Sequence, residues 1–307
     1  MNDFRLPLGD WADAVIHFIT DVFGGFFTVV RSIFAGFYDL VDFVLQTPPF
    51  WVVILVLAAI AWLAKGWKLA TGTALGLLVI VGVDQWDNAM STLALVLVAS
   101  LIAVAISVPL GVLAARSDLA SKIIRPILDF MQTMPAMVYL IPALILFRVG
   151  VVPGIVATII FAMAPGVRLT ELGIRGVDKE VVEAGQAFGS SPWRILRQIQ
   201  LPLAMPSIMA GVNQVIMLSL SMVVIAGMVG AGGLGGEVVQ SLTRIDVGLG
   251  FEAGLSVVIL AIILDRVTGA LGTPRKPKAR REQASTTDAS EPLGPEAERL
   301  PAASATA

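Results

Sequence analysis

The sequence predicts an all-α, polytopic membrane protein with about seven transmembrane helices, and three observations carry that prediction. Apolar residues fill 56% of the 307 positions and charged residues only 14%, where a soluble domain averages about 45–50% and about 25%. Mean hydropathy is +0.85, so a soluble fold would leave apolar surface in water. The apolar residues also fall in runs bounded by charge, as spanning helices do. The absence of cysteine rules out disulfides, thiol catalysis and thiolate metal sites, and the single histidine, His17, leaves no imidazole cluster. A formal net charge of −2 says little about partners.

Residues 1–48 read as an extracytoplasmic amphipathic segment. Asp3, Arg5 and Asp10 interrupt the first ten residues, so no cleavable signal peptide is expected. From 10 to 46, polar groups recur at Asp10, Asp13, His17, Asp21, Thr28, Ser32, Asp39, Asp42 and Gln46. Trp11, Phe18, Val22, Phe26, Val30, Phe34, Phe37, Val41 and Leu45 lie between them. That spacing predicts an amphipathic helix in the outer interface, broken at Gly24-Gly25.

Candidate spans follow at about 49–64, 69–83, 92–115, 130–147, 151–165, 206–229 and 251–270. The first two, within 49–89, are accessory to a core of 90–270. The second and fifth are short against the roughly 20 residues a spanning helix needs, and the first two alternatively form a shallow hairpin. Trp51, Trp62, Trp67 and Trp86 sit near span ends, as an interfacial belt requires. Placing the C-terminus in the cytoplasm puts seventeen of the 21 lysines and arginines inside and leaves Arg5, Arg31, Arg148 and Arg244 outside. The positive-inside rule therefore favours an outside N-terminus. Residues 271–307 form a Pro-, Ala-, Ser- and Glu-rich tail with no apolar periodicity, read as disordered. Its basic stretch Arg275–Arg281 serves either as a stop-transfer signal or as a contact for anionic lipid.

The loop 166–205 is polar enough to leave the membrane yet helical in pattern. Asp178 is an N-cap with Glu180 in the first turn. Val181, Ala184, Gly185 and Phe188 fall at i, i+3, i+4 and i+7 and form one face. Gly189 suits a helix end with positive φ. Ser191-Pro192 restarts a helix that should stop before Pro202. A DNA-reading helix pair is excluded by the membrane tethers and the lack of a basic recognition helix. Forty structured residues exceed what a connector needs, which points to a docking element for a cytoplasmic protein.

Inside the spans, Asn213 and Gln214, with Met217, Ser219, Ser221 and Met222, either line a route or hydrogen-bond between helices. Pro109, Pro135, Pro142, Pro153 and Pro165 suit discontinuous helices or packing kinks. Gly230-Ala-Gly-Gly-Leu-Gly235 satisfies G-x-G-x-x-G but follows a membrane span rather than a strand, so nucleotide binding is excluded. These glycines form a tight external turn or let a partner's backbone approach.

Glu183-Ala184-Gly185, Gly189, Ile199 and Leu201-Pro202 resemble the cytoplasmic signature of ABC importer permeases, E-A-A-x3-G-x9-I-x-L-P. Glycine replaces the third alanine and every spacing fits. Over about 90–270, Gln132–Pro142, Met222–Gly236, Asp246–Gly254 and Asp265-Arg266 resemble the glycine betaine/proline importer permeases. The resemblance implies a type I importer permease fold and a homodimer of permeases. It implies coupling of that loop to two copies of an ATP-binding subunit, and an extracytoplasmic substrate-binding protein. The cargo implied is glycine betaine, proline betaine or proline, with choline or carnitine as the alternative. With no P-loop in the chain, ATP is bound and hydrolysed by the partner subunit, and this chain is expected to be no enzyme and to hold no cofactor or metal. Quaternary ammonium groups are recognised by aromatic faces. Tyr139, Phe130, Phe147 and Phe161 are the aromatics placed near a pathway, so selection is expected in the separate binding protein. The candidate path is Tyr139, Asn213, Gln214, Met217 and Met222. A secondary transporter or channel competes, but the chain shows no internal repeat, mid-span coupling carboxylate or filter-like loop.

Overall fold

The computed structural model describes residues 7–272, and no strand occurs among the described residues. The helices are α1 (Leu8–Gln46), α2 (Phe50–Lys65), α3 (Trp67–Gly82), α4 (Trp86–Arg116), α5 (Asp118–Thr133), α6 (Leu140–Phe147) and α7 (Val151–Arg175). They continue as α8 (Lys179–Ala187), α9 (Pro192–Ile195), α10 (Leu201–Ser221), α11 (Val223–Gly227), α12 (Gly233–Arg244) and α13 (Val247–Gly272). A 3₁₀ turn, Ala136–Tyr139, precedes α6, and a π segment, Leu196–Gln200, joins α9 to α10. Among the described residues five helices, against the seven spans expected, are long and apolar enough to cross a membrane: Gly9–Gln46, Trp86–Arg116, Val151–Arg175, Pro192–Gly227 and Val247–Ala270. α5 with Ala136–Phe147 makes a sixth if the bent pair is one span.

At the centre α7 lies between α4 and α10. Lipid tails offer no hydrophobic drive between helices, so small residues that allow close van der Waals contact hold them. A Cβ on Gly111 of α4 would fall 2.5 Å from Thr170 Cβ, and one on Gly166 of α7 would fall 2.5 Å from Ser107 Oγ. Around this contact Val96, Val98, Ile155, Ile159, Val215 and Val223 form the main core.

The N-terminal segment is two helical stretches joined across a kink at Phe23 (φ −110°, ψ 15°), one position before the break expected at Gly24-Gly25. The two glycines relax the helix there, and beyond the kink the Thr28 hydroxyl donates back to the Gly24 carbonyl. The segment does not lie apart from the bundle. Tyr38 is buried in the main core with Phe34, Phe37 and Val41 packed beside it, and Phe27 meets Phe147 edge-on at 5.5 Å. Its opposite side exposes Trp11, Phe18, Val22 and Phe43.

α2 and α3 pack on each other around Gly66 (φ +93°), the hairpin alternative read from the sequence. Their 16 residues each give about 24 Å of helix, against a hydrocarbon core of about 30 Å. Leu77, Ile80 and Val53 seat them on Leu260 of α13.

Three expected spans are corrected by the structure. Residues 130–147 are not one helix: extended Pro135 (φ −56°, ψ 135°) separates α5 from Ala136–Phe147, and the two are bent by 106°. The span at 151–165 runs on to Arg175, because Arg168, Glu171 and Arg175 find charge partners. The helix expected to stop before Pro202 continues from α9 through the π segment into α10. The wide turn falls where proline lacks a donor. That span is interrupted only at Met222 and runs to Gly227, close to the expected end at 229. Of the five prolines only Pro135 breaks a helix; Pro109 and Pro165 sit inside continuous α4 and α7.

After α11 the chain turns through Gly230, Gly232 and Gly233 at φ +84°, +71° and +61°, the expected tight turn. The close approach these glycines permit is within the chain. A Cβ on Gly235 would fall 2.1 Å from Val223 O, so α12 lies directly on α11. The tail expected to be disordered and its basic stretch lie outside the described residues, as do residues 1–6.

Candidate functional site

The α8–α9 pair, expected to be a docking element, is built by local chemistry. Asp178 caps α8 by accepting from the Glu180 amide at 3.0 Å. At its far end the Gly189 amide donates to Gln186 O (2.8 Å) and the Ser190 amide to Gly185 O (3.1 Å). That is a Schellman closure, for which Gly189 takes φ +73°. Ser191 accepts from the Arg194 amide, and Pro192 occupies the first turn of α9.

α8 and α9 close on each other at one small residue. A Cβ on Gly185 would stand 2.8 Å from Ile199 Cδ1 and 3.5 Å from Ile195 Cγ1. Ile195 and Gly185 are buried, and Ile199 and Leu201 are half-buried. Leu196 packs with Ile174 of α7 and with Ala204 and Ile208 of α10, fixing the pair to both helices. Only Gly185 of the expected apolar face turns inward. Val181 and Ala184 are exposed, and Phe188 is 91% exposed. The reason is steric: α9 approaches so near Gly185 that its neighbours are left outside the contact. Glu183, Gly189 and Pro202 are also exposed. Trp193 is exposed, with the Arg116 guanidinium 5.9 Å from its ring centre. Behind α8 lies a cleft of about 350 Å³ lined by Arg175, Lys179, Glu183, Gln186 and Gln200.

The five candidate path residues do not form one site. Tyr139 and Met222 are buried in a single cluster with Leu140, Ala157 and Val229, and Phe161 packs against it. The Tyr139 hydroxyl donates to the Met131 carbonyl. Asn213 instead faces α13, donating to Asp265 Oδ1 at 3.1 Å and accepting from the Thr268 hydroxyl, which is the interhelical reading. Gln214 is exposed and Met217 half-buried. Ser219 and Ser221 donate within their own helix, to Val215 O and Met217 O. Phe130 is exposed, and Phe147 is buried against Phe27.

Sequence reasoning missed an ion-pair ladder between α5 and α7. Glu171, 3% exposed, accepts from Ser121 Oγ (2.7 Å) and from Arg125 (2.9 Å), and pairs with Arg175 Nε at 3.1 Å. Arg175 also meets Asp118 at 2.8 Å and donates to Ala114 O of α4 at 2.8 Å. Asp129 pairs with Arg168. The signal was available as charges at three- to seven-residue spacing on both segments: Asp118, Arg125 and Asp129 on one, Arg168, Glu171 and Arg175 on the other. Those arginines were counted only as positive-inside markers.

A family model described as "Binding-protein-dependent transport system inner membrane component" matches residues 107–273. The glycine betaine/carnitine transport permease protein of Listeria monocytogenes is 49% identical over 275 residues, 88% of this chain and 97% of that one. The glycine betaine transport system permease protein of Bacillus subtilis is 46% identical over 272 residues, 89% and 96% of the two chains. The glycine betaine/proline betaine transport system permease protein of Escherichia coli is 48% identical over 285 residues, 92% and 79%. In fold the chain is similar to the inward-facing MetNI methionine ABC transporter. The TM-score is 0.56 at 22% identity, over 61% of this chain and 94% of that one.

Proposed function

The chain belongs to the family of binding-protein-dependent transport system inner membrane components, and from that membership we propose that it is the permease of an ATP-driven importer of glycine betaine and proline betaine. The observation that carries this reading is the α8–α9 pair. It is closed rigidly at Gly185 and Gly189 yet presents Val181, Phe188 and Trp193 to solvent. A connector has no reason to expose three large apolar side chains on a well-capped element. A groove on an ATP-binding subunit would cover them.

Two ATP-binding subunits dock on two identical permeases in this scheme, and ATP is bound and hydrolysed there, not on this chain. An extracytoplasmic binding protein supplies the solute and most of the selectivity. The route through the permease passes the Tyr139–Met222 cluster. The N-terminus lies outside and the C-terminus in the cytoplasm, an orientation supported by the lysine and arginine distribution. Carnitine is a second candidate cargo, because the Listeria relative carries it in its name.

The test is uptake of labelled glycine betaine into proteoliposomes holding the permease, its cognate ATP-binding subunit and its binding protein. Competition by unlabelled proline betaine, carnitine, choline and proline ranks the cargo. Uptake requires internal ATP and collapses in Glu183→Arg, which places a cation at the exposed edge of the docking surface. Uptake that persists without the ATP-binding subunit sinks the reading.

A further inference from the structure

We propose that Glu171 is a positioning residue that locks α5 to the Arg175 end of α7, so that a displacement delivered at α8 reaches the bend at Pro135 beside Tyr139. This rests on the importer reading. It adds a transmission element that the docking loop and the path residues do not contain.

Three rungs run antiparallel between the two helices: Asp118–Arg175, Arg125–Glu171 and Asp129–Arg168. The sign alternates along each helix, so a slip of one turn sets Arg125 against Arg168 or Arg175, and Asp129 against Glu171. Like charges at that separation oppose a slip of one turn in either direction. The central carboxylate is buried. Parting the helices takes away Ser121 and Arg125 and leaves this carboxylate only Arg175 of its own helix, a larger penalty than parting an exposed pair. α5 and the end of α7 therefore move as one body.

Both ends of that body lead somewhere. α7 ends at Arg175, and the cap of α8 is Asp178, three positions on. α5 ends at Thr133, followed by the 106° bend. The Tyr139 hydroxyl reaches back across the bend to the Met131 carbonyl of α5. A push on α8 is thus handed along two bonded helices to the buried cluster holding Met222. A purely structural brace would stabilise the fold without affecting how much solute moves per ATP.

The test uses the complete complex in proteoliposomes and measures glycine betaine uptake, ATP hydrolysis and thermal midpoint together. Glu171→Gln keeps the shape and removes the charge. Asp129→Arg opposes Arg168 at a rung whose side chains are 62% and 41% exposed, and so leaves folding intact. Uptake per ATP hydrolysed is expected to fall about fivefold or more in each. Adding Arg168→Asp to Asp129→Arg should recover about half or more of that loss. The proposal is overturned if uptake and hydrolysis fall in proportion, or if the ratio is unchanged in both variants. It is also overturned if the charge exchange rescues nothing. Should Glu171→Gln fail to assemble, the Asp129–Arg168 pair decides alone. A wild-type complex without ATP-dependent uptake refutes the importer reading itself; wild-type uptake with an unchanged ratio refutes only the ladder.

Discussion

Adjacent glycines on α12 should respond oppositely to the same substitution. A Cβ at Gly235 would lie 2.1 Å from Val223 O, 2.7 Å from Val223 C and 3.1 Å from Val223 Cγ1. An ordinary C···O contact sits at about 3.3 Å or more, so α11 and α12 would have to part by about 1 Å. Two of the three opposing atoms are backbone, and no side-chain rotation relieves them. Overpacking of this kind costs about 3 kcal/mol, the upper end of its usual range. At Gly236 a Cβ meets nothing within 4 Å, and alanine gains about 0.5–1 kcal/mol over glycine inside a helix. Gly235→Ala and Gly236→Ala should therefore differ by about 4 kcal/mol. The assay is the temperature at which half the detergent-solubilised permease loses its monodisperse gel-filtration peak. On the scaling of soluble domains, Gly235→Ala lowers it by about 6–12 °C and Gly236→Ala leaves it level or slightly raised. Equal midpoints for the two variants would refute the claim that backbone approach, rather than glycine flexibility, sets this contact.

Phe188→Ala should leave the permease's thermal midpoint within about 0.5 kcal/mol of wild type, because the side chain is 91% exposed. The same change should weaken retention of the ATP-binding subunit by about 1–3 kcal/mol, read by titration of the purified components. Asn213→Leu removes the bonds to Asp265 and Thr268 and should cost about 1–3 kcal/mol of stability. Its solute preference in competition assays should not change, since Asn213 faces α13; a changed preference would return it to the path. Ile245 holds φ +56°, a costly conformation for a β-branched residue. Ile245→Asn should raise the thermal midpoint by the equivalent of about 1 kcal/mol.

What the sequence determined by itself is what short-range chemistry dictates. Hydropathy marked the membrane helices, and the caps at Asp178, Gly189 and Ser191 were legible because a cap is settled within four residues. The spaced residues Glu183 to Pro202 likewise marked the α8–α9 loop. Tertiary structure alone decided matters that depend on distant partners. Pro135 announced a possible break, but the 106° bend it takes depends on what α5 and α6 each pack against. Phe34 to Val41 looked like one side of an interfacial helix, and only the placement of Phe147 and the main core shows that they pack inside. Gly235 read as either a turn residue or a point of close backbone approach, and only the placement of α11, with Val223 O 2.1 Å from where its side chain would be, decides between them. Asn213 was ambiguous, and Glu171 went unread, for the same reason. A polar group near a span takes its role from its partner, and theirs stand some 50 positions away, at Asp265 and at Ser121 and Arg125. Local pattern sets which segments become helices, and burial of distant charges and backbones against one another sets what those helices can do.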